Sequence, residues 1–552
     1  MIDDFYSGLS AKVGGIPIDH LKLISCLLLS YPLSHCELNL VFLRIPSQYP
    51  SLRNAFNLLC SLFFLIGIFD LKYGLLNLLF NSIVSFYLAK SFSAYSWMPW
   101  VVMGFAMTHL LLFHIQRLIH VTPSTAIEIS GSLMVLIQRT TTYAWNVHDG
   151  QLKEEELEDY QKDNRVMKQP PLLGFLAYTL YFPAILVGPA FPYDAYASLV
   201  DNSLFETSRP RKLKGRRRAG YRRMVFGLIF MALYAVFGGS TDMGFLIDSE
   251  WKKNHGILSR IAFLQKSAVI TRCKYYAVWS ISEGACIISG LGFNGYNEKN
   301  GRTRWDRVRN IDVLGVELAQ NVKELLDAWN MNTNVWLRSC VYKRVTTKGK
   351  KPGFQSTLIT FVTSAFWHGL PMGYYLTFIY GGFLQALGKL VRKNIRPFFI
   401  DTSKKPLYDV LSIVTTQMLI NFAIIPFMLL GFKNSLKGWY SVGGYGIIVV
   451  TVAFNYFKYM GGTDRLQTKL KQRRDDALEE LFDGTPTAEM RDKAGLDEEL
   501  LTRDVDEIME KLTKHGTLAS REAADQIKDL SNEGKTITKG VVKDAVNVSK
   551  SE

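Results

Sequence analysis

The string TFVTSAFWHGLPMGYYLTF places His368 in an apolar stretch, and from Phe354 to Gly388 it is the sole ionisable group, tyrosines aside. A charged group at bilayer depth costs on the order of 3 kcal/mol. A neutral imidazole costs less but still needs a partner for each ring nitrogen. Such a histidine either moves protons or ties one helix to another. Gly369 and Pro371 follow at once, so the helix is expected to break just beyond the imidazole. A broken helix at membrane depth lines a cavity.

A further constellation, DAWNMNTNVWLRSCVYKRV, runs from Asp327 to Val345. Asn330, Asn332 and Asn334 are poor helix formers, whereas Trp329 and Trp336 each combine an apolar body with a donor N–H that suits an interface. An aromatic belt beside a polar loop would have the same composition. Ser364, four residues before His368, and Cys340 are the nearest nucleophiles, and neither is placed for a covalent acyl-enzyme. Scattered histidines without HExxH and without carboxylates at metal spacing give no metal site.

These residues must be carried by membrane helices. Of 552 residues, 48% are hydrophobic, 13% aromatic and 20% charged, against about a quarter charged in soluble proteins. Disorder, collagen and a small disulfide scaffold are excluded. Apolar windows fall at 21–43, 55–69, 74–89, 97–115, 126–137, 172–191, 224–239, 276–293, 354–370, 374–387, 411–432 and 445–459. Several are too short to cross a bilayer upright. The expected fold is all-α: a polytopic integral membrane protein with about 11 transmembrane or re-entrant helices over 1–462, then a charged helical or disordered tail over 463–552. The segment 257–270 carries Arg260 and Lys266 and reads as amphipathic and interfacial.

Net charge is +15, yet the residues from Asp464 onward hold 16 basic and 21 acidic side chains. The preceding body is therefore strongly basic. Its clusters, 209–223, 342–351 and 391–396, sit in short loops, where positive charge marks the cytosolic side. Span parity puts all three and the tail in the cytosol, where the sequon at Asn547 goes unused. Basic loops of this kind fit anionic lipids or phosphorylated substrates, not nucleic acid. The six cysteines show no CxxC, and the acidic N-terminus lacks the basic region of a cleaved signal peptide.

Taken together, WNMNTNVW and SAFWHG resemble the membrane-bound O-acyltransferase family. WNMNTNVW fits its pattern of Trp, a polar residue, three residues, Asn, one residue and Trp through Trp329, Asn330, Asn334 and Trp336. SAFWHG is similar to its histidine motif. WNVHDG (145–150) and YFPAILVGPAF (181–191) resemble strings of the lysophospholipid-acyltransferase branch. The FYxDWWN-type string of the sterol and diacylglycerol branch is absent. The resemblance covers most of the chain up to about Tyr459.

It implies transfer of a fatty acyl group from acyl-CoA, as co-substrate, to the hydroxyl of a lysophospholipid at the endoplasmic-reticulum membrane, without a tightly bound cofactor. His368 and Asn334 match the functional positions. A neutral imidazole suits a general base because its unperturbed pKa lies near operating pH, and an asparagine N–H could stabilise the oxyanion. Trp329, Asn330, Trp336, Arg338, Tyr342 and Trp367 are the expected substrate contacts. Arg338, Lys343, Arg344 and the lysines of 348–351 are available for coenzyme A phosphates. Three alternatives stay open: a protein or neutral-lipid acyltransferase of the same family, a histidine-dependent transporter, and a lipid-binding scaffold. Headgroup, acyl-chain preference and oligomeric state are not encoded in these patterns.

Overall fold

A computed structural model describes residues 2–12, 16–42, 48–120, 128–205, 214–346, 353–400 and 402–483. Among these the structure is helical, and the sole strand-like pairing is one bridge, Tyr296 to Thr303. The main helices are α1 (Ile18–Cys36), α2 (Pro50–Leu62), α3 (Lys72–Ser91), α4 (Met98–Ile119), α5 (Ile129–Asp149), α6 (Arg216–Phe237) and α7 (Ile257–Ser289). They are followed by α8 (Met331–Leu337), α9 (Phe354–His368), α10 (Met372–Asn394), α11 (Lys405–Ala423), α12 (Tyr445–Lys458) and α13 (Gly462–Asp483). Thus nearly every apolar window became a helix, and α13 begins the charged tail. The rest of the tail, the sequon at Asn547, the basic residues 209–213 and the lysines of 348–351 lie outside the described residues.

Four helices among the described residues are long and apolar enough to cross a membrane: Pro50–Ile68, Met98–Ile119, Arg216–Phe237 and Lys405–Leu429. A fifth is obtained if Phe432–Ser441 and Tyr445–Lys458, bent by 82°, count as one span. This falls short of the eleven transmembrane or re-entrant helices expected. Other helices are too short or, like α3, α5, α7 and α10, long enough but not apolar enough. α5 nevertheless lies almost wholly inside the protein, so its polar side chains meet protein and not lipid.

Two windows folded differently from expectation. Over 172–191 the helix stops at Thr179. The Thr179 carbonyl would normally bond to the N–H of residue 183, which is proline. Arg139 of α5, fully buried, takes the role of donor: its guanidinium lies 3.1 Å from Tyr178 O, 2.9 Å from Thr179 O and 3.0 Å from Pro189 O. The segment 257–270 is not a separate interfacial helix but the first half of the 33-residue α7. Arg260, the charge that marked it as amphipathic, donates to the carbonyls of Lys252, His255 and Ser441. Farther along α7, Arg272 binds Glu317 with two contacts at 2.6 and 2.8 Å and Asn421 at 2.7 Å.

The chain forms two compact units. The first, Met1–Gln385 with Thr415–Ile447, contains both chemical strings. In it α6 and α7 pack closely where small residues permit: a Cβ on Gly220 would meet Ile288 Cδ1 at 2.6 Å. The other unit comprises Ala386–Val414 with Ile448–Glu552. There α13 is tied to the end of α10 by Gln467, whose Nε2 lies 2.9 Å from Asn394 Oδ1.

Candidate active site

α5 is the beam on which the site is mounted, because its polar residues recur on the side facing α8 and the turn after it. Gln138 bonds Thr333 at 3.0 Å, Thr141 Oγ1 accepts from Trp336 Nε1 at 2.9 Å, and Thr142 meets Cys340 at 3.7 Å. At the end of α5, Asp149 receives both arms of Arg344, at 2.9 and 2.5 Å, while the guanidinium lies 4.1 Å over the Trp145 ring. A bidentate, stacked arginine is among the strongest side-chain anchors available. Arg344 is therefore committed to structure, not free for a phosphate. Lys343 is likewise paired, with Glu158.

The three asparagines divide their work. Asn330 adopts a left-handed backbone, φ 43°, that turns the chain into α8. Asn332 pins that turn to the preceding loop through Arg309 O at 3.1 Å and Asn310 Oδ1 at 3.0 Å. Asn334 sends Nδ2 to Leu326 O at 3.1 Å and to Asp327 Oδ1 at 3.0 Å. Both amide hydrogens are thus occupied, so the oxyanion contact expected of them is not available in this arrangement; among the described residues the carbonyl oxygen has no hydrogen bond. Asp327 is itself held by Lys323 at 2.7 Å.

His368 ends α9. Gly369 caps the helix at φ 145°, a torsion open to glycine and strained for other residues, and the break stands where the sequence places it. The imidazole is surrounded by rings: Phe378 stacks at 5.1 Å and 23°, Phe427 meets it edge-on at 5.1 Å, and Tyr374 lies at 5.7 Å. Three residues beyond Phe427, Leu430 O accepts from Gly373 N at 2.8 Å. Among the described residues, no side chain or backbone group hydrogen-bonds the His368 ring.

His368 and Asn334 are not bonded to one another. Their helices meet through Trp367 and Trp336, whose rings are 5.8 Å apart. Trp367 also donates to α5, Nε1 to Met134 O at 3.1 Å, so one helix fixes both indoles. Trp329 turns away to Tyr275, Tyr276 and Trp279 of α7 at 5.1–5.9 Å. Arg338 is exposed and lines a small cleft of about 100 Å³ with Tyr160, Val335, Ser339 and Lys343. Tyr342 is half-buried in the turn after α8. Ser364 and Cys340 are both buried. No group of three or more His, Cys, Asp or Glu that could hold a metal occurs among the described residues.

Sequence reasoning missed several contributors. Asp327, seven residues before Asn334, carried no motif. Phe378 and Phe427 resembled ordinary core. His114 of α4 was readable by the rule that singled out His368, a titratable ring in an apolar span, and its Nε2 reaches Trp367 O at 3.2 Å.

The family model described as MBOAT, membrane-bound O-acyltransferase family, matches residues 65–429. A lysophospholipid acyltransferase of Schizosaccharomyces pombe is 38% identical over 80% of this chain and 87% of its own. One of Saccharomyces cerevisiae is 39% identical over 81% of this chain and 75% of its own. The human membrane-bound glycerophospholipid O-acyltransferase 2 is 32% identical over 57% and 62%. Matched by the family model over most of its length, and by relatives more than a third identical across four-fifths of it, the chain belongs to the membrane-bound O-acyltransferase family.

Proposed function

We propose that this multi-pass membrane protein is a lysophospholipid acyltransferase, moving a fatty acyl group from acyl-CoA to the free hydroxyl of a lysophospholipid, with His368 as general base. One observation carries the assignment of the base: the imidazole stands at a helix break inside an aromatic cage, with no hydrogen bond from the described residues to occupy its nitrogens. A nitrogen lone pair then takes the hydroxyl proton while the hydroxyl oxygen bonds to the thioester carbonyl carbon. The tetrahedral intermediate collapses, the carbon–sulfur bond breaks, and the thiolate of coenzyme A takes the proton back from the imidazolium. No acyl-enzyme is needed, in keeping with the burial of Ser364 and Cys340.

Asn334 acts by position. Its amide hydrogens are held by Leu326 and Asp327, so Oδ1 is the atom that accepts the substrate hydroxyl and aims it. Trp336 and Trp367 form the wall between the two helices. Arg338 and Tyr342 meet the polar end of the donor, whereas Trp329 and Asn330 act through the turn into α8. Residues 1–462 form the catalytic domain in the endoplasmic-reticulum membrane, and 463–552 a cytosolic tail. The names of the yeast relatives support the lipid acceptor over a peptide or a neutral lipid.

The test is turnover by purified protein in nanodiscs with labelled oleoyl-CoA and a panel of lysophospholipids, an acylable peptide, cholesterol and diacylglycerol. The expected result is product with lysophospholipids alone. Changing His368→Ala should lower kcat by about 10²–10⁴, the usual worth of a general base, and Asn334→Ala by about 10². Transfer only to peptide or neutral lipid would replace the acceptor. A fully active His368→Ala variant would remove the base.

A further inference from the structure

The helix that ends at His368 leaves a carbonyl that its own backbone does not serve. Trp367 O would ordinarily receive the N–H four residues on, but residue 371 is proline and has none. α4 supplies the donor: His114 Nε2 lies 3.2 Å from Trp367 O. Since a carbonyl oxygen only accepts, the His114 proton is on Nε2 and Nδ1 keeps a lone pair. His114 is 8% exposed, deep in a helix long and apolar enough to span the membrane, where a polar ring is costly without a task.

The carbonyl held by His114 belongs to the peptide that joins Trp367 to His368. Its plane sets the direction in which the His368 side chain leaves the backbone. The rings of Phe378, Tyr374 and Phe427 limit the tilt of the imidazole, but they supply no polar anchor. The contact from His114 is a hydrogen bond from outside α9 to the peptide that carries the reacting residue. Building on the acyl-transfer reading above, we infer that His114 is a positioning residue for His368, its Nε2–H holding the Trp367 carbonyl so that the imidazole meets the substrate hydroxyl in line. It touches neither substrate.

The test compares wild type, His114→Phe and His114→Gln in nanodiscs, with oleoyl-CoA and the lysophospholipid that wild type acylates fastest. Phenylalanine keeps a ring and loses the donor, whereas the glutamine amide N–H reaches the place of Nε2. The expected result is a fall in kcat of about 10- to 100-fold for His114→Phe, the scale of a misplacement near 1 Å. Both KM values should stay within about twofold and Tm should be little changed. His114→Gln should recover kcat to within about threefold of wild type. If the phenylalanine variant does not fold, the same contrast is read between His114→Gln and His114→Asn, whose amide stops short of the carbonyl.

Wild-type kcat in His114→Phe would overturn the inference while leaving the acyltransferase reading intact. Equal losses in the donor-keeping and donor-lacking variants, in step with Tm, would overturn it in favour of a packing role. A wild type that acylates no lysophospholipid would remove both readings together.

Discussion

Around Asn334 the polar atoms are largely bonded: Nδ2 is taken by Leu326 O and Asp327, Thr333 is held by Gln138, and the Trp336 indole by Thr141. Around His368 the neighbours are rings, with Phe378 stacked, Phe427 edge-on and no hydrogen bond to the imidazole among the described residues. The two helices share an indole contact, yet one group is fixed by directional bonds and the other by shape. That difference suits their chemistry. A residue that aims a hydroxyl gains from rigid bonds, whereas a base bonded to the protein through both nitrogens would have no lone pair to offer.

The sharpest way to break the contrast is to cut a bond on the asparagine side. Asp327→Ala frees one amide hydrogen of Asn334 and should lower kcat about tenfold, equivalent to about 1.4 kcal/mol of barrier, with KM for the lysophospholipid nearly unchanged in steady-state assays. An unaffected kcat would mean that the bonds do not position the asparagine. On the histidine side, Phe378→Leu keeps an apolar wall and loses the stacked ring. Here kcat should fall about threefold, within the roughly 0.5–1.5 kcal/mol carried by an aromatic pair. A larger loss than that of Asp327→Ala would reverse the ranking of bonds over shape.

The smallest effect belongs to a group that lies in neither string. Asp194, on the short helix Tyr193–Val200, has one buried oxygen without a partner, and burial pushes its carboxyl up to about 6. A raised carboxyl means the folded chain binds the proton more tightly than the unfolded one, whose value is 3.8. Its contribution to stability is therefore full below pH 4 and is lost as the pH rises to about 6. Asp194→Asn should flatten this part of the Tm–pH curve and leave turnover within about twofold at neutral pH. A change in rate larger than that would show that rates here respond to stability in general, which would blunt both preceding tests.

The sequence reveals the letters of the site better than their supports. His368 stands out because it is polar where its surroundings are not, a local contrast, whereas Asn334 is told from Asn330 and Asn332 only by the spacing of the family pattern. Asp327, Phe378 and Phe427 become visible only when chain segments far apart meet. The same holds for the fold. Apolar windows locate most helices, but the end at Thr179 depends on Arg139, about 40 residues earlier in the chain. The continuity of α7 likewise depends on loop carbonyls that absorb the charge of Arg260. A composition window registers a charge and a proline; it does not register the atom that answers them.

The glycine after the histidine carries a lesson about the triplet WHG as a search pattern. Its first two letters name reagents and walls, but its third records a torsion angle, φ 145°. Among the coded amino acids the other nineteen share the same defect there, a Cβ. In a saturation scan, tolerance at position 369 should therefore not grade with size, charge or polarity as it does at a contact. A pattern that counts the three letters as equal chemical evidence includes one that encodes only the direction in which the chain departs.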